Sequence, residues 1–435
     1  MGITGFKQQV VAGNRLADTN SYYEKDSKFI LKGTDNSSSN VSITIGEKML
    51  SRHILLLGGI GTGKTNAINF LIQSILKEAL FANDVVVIFD TKGDYYKTFY
   101  QPGDIVISND RKACGKSGED YWNMFKEITI DDRVEENIIE IGNALFASRI
   151  ANSTQPFFPN AAKDLFNAMV LHICRYGDPG KMNNDYLRRV FNSFSSEAMI
   201  KILEQHKDLR AMQSYILDPK SGQTLGVVSE LQQAVREVLT GNFAKNGSLS
   251  MRELIRRKGG QIIFVEYDLA IGSMLAPIYR ILIDMAIKEA LSRSEFEGNV
   301  YFFIDEFRLL PLLQHIDDGL NFGRSMGAKF VVGVQNVAQI EAAYGDAVAR
   351  SILAGFGTTM CFRVNDFESR EFIKNLYGKN LKLQSYLSAV NTRGLSEQMR
   401  EGNVVEDEDI FNLKIGQCIF GAPECEPFVF RFPKF

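Results

Sequence analysis

The octapeptide GGIGTGKT, Gly58 to Thr65, stands between the apolar run Ile54-Leu55-Leu56-Leu57 and the segment Asn66-Ala67-Ile68-Asn69-Phe70-Leu71-Ile72, which reads as a helix. The pattern G-x-x-x-x-G-K-[ST] recurs by chance in large proteomes, so its weight comes from context: a strand before it and a helix after it. Gly58, Gly61 and Gly63, with Thr62 between, let the backbone curl until its N–H groups point inward at β- and γ-phosphates, helped by the positive end of the following helix. Lys64 adds a mobile cation at those oxygens, and the Thr65 hydroxyl is expected to ligate Mg²⁺. A glycine turn before an ordinary helix is the alternative, and the flanking strand and helix make it the weaker one.

Around this loop the chain alternates strand and helix. "DVVVIFD" (Asp84 to Asp90) is a continuous β-branched run of the kind found in parallel strands buried on both faces, and "DTKGDYY" turns at its carboxyl end. From Asp131 to Arg257 helical spacing takes over, as in "RVEENIIEIGNALF", and this stretch reads as a helical insertion. The α/β texture returns in "GGQIIFVEY", "GNVYFFIDEF", "AKFVVGVQN" and "TTMCFRV", and "GQCIFG" with "PFVFRF" reads as a terminal hairpin. Near the N-terminus, "TDNSSSN" reads as a hairpin tip before the strand "VSITIG". The expectation is an α/β fold with a mostly parallel sheet in two pieces, 1–130 and 258–435, and an all-α insertion at 131–257.

At 435 residues, 45% of them hydrophobic, the chain can bury a large core and fold as more than one domain. A net charge of -3 gives no global basic footprint, so any nucleic-acid contact must come from a local patch or a pore lining. Cys114, Cys174, Cys361, Cys418 and Cys425 are scattered without a C-x-x-C pair, which argues against a disulfide framework or a zinc site and fits a reducing cytoplasm. No apolar run reaches the roughly eighteen residues that span a bilayer. The longest candidate, "LAIGSMLAPIYRILIDMAIKEAL", carries Arg280, Asp284 and Lys288 and reads as an amphipathic helix. "MGITGFKQQVV" lacks a signal-peptide pattern, and Phe6 stands where a myristoylation motif wants Ser or Thr.

The chemistry needs a second half, which "VYFFIDE" supplies. Asp305, at the end of a hydrophobic strand, is expected to hold Mg²⁺ through its water shell, and Glu306 to polarise the attacking water. Gln335 ends the strand "KFVVGVQ", where it either contacts the γ-phosphate or attacking water or caps the next turn. Arg324, beside Gly323, is the candidate for an arginine that a neighbouring subunit supplies, with a surface role at a helix end as the alternative. His53, His172, His206 and His315 show no metal-ligand spacing. "RELIRRK" (Arg252 to Lys258) fits either phosphates or a solvated helix end.

With these motifs in order, the chain resembles the type IV secretion coupling proteins of the TraD/TraG type, hexameric DNA-transfer ATPases of bacterial conjugation within the HerA/FtsK superfamily of P-loop motors. The resemblance runs along most of the chain. It rests on "SITIGEKMLSRHILLLGGIGTGKT", on "VVIFDTKGDYYKTF" with Thr91 in place of a usual proline, on "YWNMF" and "FFIDEFRLL", and most specifically on "IDDGLNFGRSMGAKFVVGVQNVAQIEAAYG". It implies a RecA-like domain with an inserted all-α domain, ATP and Mg²⁺ as cofactors, a homo-hexamer with single-stranded DNA in its channel, and a relaxase as partner. It favours the catalytic readings of Arg324 and Gln335.

Family members commonly begin with transmembrane helices, and this chain begins at about the point where their cytosolic part would start. Three readings follow: a soluble relative that relies on a membrane partner, a chain whose anchor has been removed, or a cytosolic pump with another job; the expected location is the cytoplasm, with recruitment to the inner face of the membrane by a secretion-system partner. Two other readings stay open: a soluble HerA/FtsK-like translocase in DNA processing or phage defence, and an ATP-gated adaptor that gathers protein substrates.

Overall fold

The computed structural model describes residues 8–25, 27, 29–78, 83–109, 114–115, 120–292, 298–387 and 395–435; the first seven residues of the stretch read for targeting signals lie outside these. The chain forms two compact units, one from Met1–Ala79, Asp305–Arg308 and Phe330–Phe435, the other from Leu80–Ile304 and Leu309–Lys329.

The first unit starts with β1 (Gln8–Ala12), β2 (Phe29–Thr34), β3 (Asn40–Ile45) and β4 (Ile54–Leu57). The second contains β5 (Val85–Asp90), β6 (Ile105–Ser108), β7 (Gln261–Glu266) and β8 (Val300–Ile304). The chain re-enters the first unit in β9 (Ala328–Val334) and continues with β10 (Thr358–Cys361), β11 (Lys379–Leu387), β12 (Leu395–Asn403), β13 (Gln417–Ala422) and β14 (Cys425–Arg431).

In the first unit the strands run in the order β3-β2-β14-β13-β10-β4-β9. β10 and β9 flank β4 in parallel, and the remaining pairs are antiparallel. β4 is buried along its whole length, which is why it reads as an uninterrupted apolar run. The expected hairpin tip holds: Asp35 Oδ1 accepts the N–H groups of Ser37 and Ser39, both at 2.8 Å, and closes the turn between β2 and β3. A separate antiparallel trio, β1-β11-β12, has no counterpart in the sequence reading.

In the second unit β8-β5-β7-β6 is wholly parallel and buried, as the β-branched runs require. From Asp131 to Arg257 the regular elements among the described residues are all helical, the longest being Val134–Ala151, Phe157–Tyr176 and Gly222–Val238.

Two readings need correction. The helix Gly272–Ala290 is not amphipathic in its setting, because Arg280, Asp284 and nearly all their neighbours are buried. Arg280 donates to the carbonyls of Pro311 (2.8 Å) and Ala144 (2.7 Å) and to Ser148 Oγ (2.9 Å), and Asp284 accepts the N–H groups of Gln314 and His315. These polar groups are inside because each has a partner inside. "RELIRRK" is a solvated helix end only in part, with Glu253 and Arg257 exposed. Arg252 is buried, with Nε 2.9 Å from Glu289 Oε2, and Arg256 Nε lies 2.6 Å from Glu289 Oε1; Asp131 serves both arginines. Their charge is spent within the protein.

Burial pushes the Asp284 carboxyl up to about 6, against the opposing pull of the two N–H donors and of the nearby His315 and Arg280. The folded chain therefore holds this proton more tightly than the unfolded one, so the contribution is complete below about pH 4 and is lost as pH rises through 6. Asp284→Asn mimics the protonated form and keeps an acceptor for the two N–H groups. Between pH 4 and 6.5 the wild type should lose on the order of 2–3 kcal/mol that the variant does not. Urea melts across that window check this, and parallel pH profiles for the two proteins would contradict it.

Candidate nucleotide site

The contacts described below around the phosphate loop join residues of the first unit. β4 delivers the loop: Gly58 N–H reaches the Val334 carbonyl at 3.0 Å, and Gly59 N–H the Arg363 carbonyl at 2.9 Å. A Cβ on Gly58 would stand 2.5 Å from the Phe362 Cβ, so the strand exit admits no side chain. Gly61 and Gly63 take φ of +73° and +112°, conformations that L side chains avoid. Gly63 also lies against Gly416, whose N–H donates to the Thr62 carbonyl at 2.9 Å. Sequence reasoning missed this brace, since nothing local links Gly416 to the loop.

Lys64 begins the helix Lys64–Glu78 and is buried. Its ammonium donates to the Gly58 carbonyl and, at 3.2 Å, to that of Gly59, which holds the cation inside the curl of the loop. Thr65 Oγ1 donates to Asp305 Oδ2 at 3.0 Å across 240 residues of sequence. Gly333 permits this approach, because a Cβ there would come within 2.2 Å of the Asp305 carbonyl oxygen.

Glu306 follows, with both carboxylate oxygens engaged. Oε2 accepts from Gln335 Nε2, and Oε1 from Arg308 Nε at 3.1 Å. Phe307, buried between them in the chain, stacks on Tyr344 with centroids 5.6 Å apart and planes at 2°. Gln335 does not cap the next helix; Asn336 does, its side chain accepting the Gln339 N–H at 3.0 Å.

Thr65 and Asp305 offer the hard oxygen donors that Mg²⁺ prefers, and Mg²⁺ is ordinarily held by one or two protein oxygens together with phosphate and water. No group of three or more His, Cys, Asp or Glu side chains suited to a softer metal occurs among the described residues. The four histidines have other partners: the His53 ring accepts the Phe330 N–H at 3.2 Å, His172 Nδ1 faces His206 Nε2 at 2.9 Å, and His315 Nε2 lies 3.8 Å from Glu140 Oε2. The structure thus brings Thr65 to Asp305 and Gln335 to Glu306, with Lys64 adjoining Thr65 in the chain. Arg324 belongs to the second unit, exposed on the turn Gly323–Met326. In that unit too, Asp90 accepts the N–H groups of Lys92, Gly93 and Tyr96 at 3.2, 2.8 and 2.9 Å, a turn cap that needs no proline at Thr91.

Residues 38–429 match a family model described as the type IV secretion-system coupling protein DNA-binding domain. The coupling protein TraD of Escherichia coli K12 is 25% identical over 456 residues, an alignment that covers 97% of this chain and 58% of TraD, so the chain spans under two thirds of its relative. The unbound bacterial conjugative coupling protein TrwBdeltaN70 superposes with a TM-score of 0.77 at 20% identity, over 99% of this chain and 95% of that one. The plasmid coupling protein TrwB solved with ADP and Mg²⁺ gives a TM-score of 0.76 at 19% identity, over 100% and 96%. At these identities the likeness speaks to fold: α/β, RecA-like, with a P-loop and an all-α region.

No helix among the described residues is long and apolar enough to cross a membrane.

Proposed function

Because the chain belongs to the type IV secretion-system coupling protein DNA-binding domain family, we propose that it is an ATP-driven DNA translocase that assembles as a ring, a homo-hexamer, and passes single-stranded DNA toward a secretion pore. The observation that carries this reading is the 3.0 Å contact between Thr65 and Asp305, which joins the two halves of a Mg²⁺-nucleotide site from distant parts of the sequence. Gly58 to Thr65 hold the phosphates. Lys64 moves from the Gly58 and Gly59 carbonyls to the β- and γ-oxygens, and Thr65 and Asp305 hold Mg²⁺, which when bound neutralises charge on those oxygens. Glu306 orients and deprotonates the attacking water, Gln335 senses the γ-phosphate, and Arg324 of a neighbouring subunit completes the site.

Residues 131–257 act as an all-α domain facing incoming substrate, between the ATPase segments 1–130 and 258–435. A relaxase bound to the strand is the expected cargo protein, and a membrane-embedded secretion partner recruits the complex from the cytoplasm. The overall charge of -3 is compatible, since a pore needs only local positive charge.

The test is the ATPase rate with and without single- and double-stranded DNA, across protein concentration, for the wild type and Lys64→Ala. The proposal expects a rate that rises steeply with concentration, is stimulated by DNA and is abolished in Lys64→Ala. A rate indifferent to both DNA and concentration would sink the ring motor and favour the ATP-gated adaptor.

A further inference from the structure

We infer that Ile415 and Phe435 form the platform on which the base of a bound nucleotide lies. The inference depends on the nucleotide site proposed above and adds the side of it that takes the nucleoside.

The strand order decides which way a nucleotide lies on the loop. β9 flanks β4 on one side and β10 on the other. The groups assigned to the γ-phosphate end all stand on the β9 flank: Gln335 follows that strand directly and meets Glu306, and Asp305 packs against its Gly333. With the γ-phosphate there and the other phosphates cradled along the loop, the nucleotide runs toward the β10 flank, and its nucleoside leaves the loop on that side. Next to β10 come β13 and then β14.

Two segments from these strands bracket the loop. Gly416 donates to the Thr62 carbonyl and accepts the Phe432 N–H, each at 2.9 Å, so the start of β13 and the exit of β14 close on the loop together. Past Phe432 the chain crosses the first turn of the helix Lys64–Glu78. There Asn66 Nδ2 donates to the Pro433 carbonyl and Asn66 Oδ1 accepts the Phe435 N–H, both at 2.9 Å. Aromatic packing holds the crossing in place: the buried Phe432 stacks on Phe362 at 6.1 Å and on Phe70 at 6.3 Å, and the Phe435 ring meets Phe70 edge-on at 5.1 Å.

Beside this fixed frame two apolar side chains reach solvent, Ile415 at 69% exposure and Phe435 at 40%. One adjoins the residue that braces Thr62, and the other is tied to Asn66, so they flank the loop-to-helix junction on its nucleoside side. A flat base takes stacking area from an aromatic ring and apolar cover from a branched chain. Main-chain anchoring means that little freedom is left to lose when it binds.

The experiment titrates ADP and inorganic pyrophosphate, each with Mg²⁺, into wild type, Ile415→Ala, Phe435→Ala and Lys64→Ala by calorimetry. Each platform variant should weaken ADP about fivefold or more. Pyrophosphate, which has no base, should bind both variants as it binds the wild type, and the melting temperature without ligand should not move, because both truncated side chains are exposed. Unchanged ADP affinity in either variant overturns the inference. So does an equal loss for ADP and pyrophosphate, which would make these residues supports of the loop alone. Lys64→Ala reports on the phosphate site separately: wild-type binding that this variant loses for both ligands upholds the site whatever Ile415 and Phe435 do. If neither ligand binds the wild type, the nucleotide site fails and the platform falls with it.

Discussion

Glu306→Gln is expected to lower ATP turnover by about 10²- to 10⁴-fold while nucleotide binding persists. Gln fills the same volume and still offers one amide oxygen to the donors around it, Gln335 Nε2 and Arg308 Nε. Its own NH₂ must then face one of those donors, and the exposed Arg308 is free to turn away. The strand end, the Thr65–Asp305 contact and the loop glycines are left as they were. What the variant lacks is a group able to accept the proton of water. Binding is read separately as the rise in melting temperature with ATP and Mg²⁺, which should match the wild type because a ligand stabilises whatever folded state it binds. Turnover retained to within about tenfold would mean that water is activated elsewhere. It would shift weight to an adaptor that uses ATP only to assemble.

The parts of this site legible in the sequence are those whose physics is local. Glycines at positions of positive φ, a cation and a hydroxyl at fixed offsets, and an apolar run ending in two acids each encode a short piece of backbone with its chemistry attached. Apart from Thr65 with Asp305, which a shared metal chemistry joined on paper, pairings across long stretches were not legible. That Gly416 braces the loop, that Gly333 makes room for Asp305, and that Arg308 lies on Glu306 follow from packing between segments far apart in the chain or from side-chain choices that spacing does not fix.

Misreadings have the same origin. Arg280, Asp284 and Lys288 recur every fourth residue and look like a wet face of a helix, yet Arg280 and Asp284 are buried because the segments packed on them supply carbonyls and N–H groups. In β11 the pattern rule inverts: Lys382 is 9% exposed and pairs with Glu406 at 2.7 Å, whereas Leu381 is 41% exposed. A strand that turns lysine inward and leucine outward carries no hydrophobic alternation to find. Its partner β12, "LSEQMREGN", is polar throughout most of its length, so the hairpin left no signal.

Arg324→Ala should cost about 10³- to 10⁵-fold in turnover without loss of folding, the range seen where an arginine is supplied to a phosphoryl-transfer site from a neighbour. Its exposure on the turn Gly323–Met326, beside a Phe322 that is 65% exposed, means that truncation leaves no buried gap. Loss of activity alone would not say whose site the guanidinium serves, but mixing two inactive variants does. In a ring the contacts are heterologous, so each site would combine the Lys64 of one subunit with the Arg324 of the next. Lys64→Ala subunits keep Arg324, and Arg324→Ala subunits keep Lys64. Random co-assembly in equal amounts therefore rebuilds complete sites at about a quarter of the interfaces, and turnover should reappear in proportion. If Arg324 instead acts within its own chain, no pairing of these variants contains a complete site and the mixture stays silent at every ratio. Recovery would place Arg324 between subunits and make the assembled ring the unit of catalysis, so that dilution below the assembly concentration should extinguish the wild type as well.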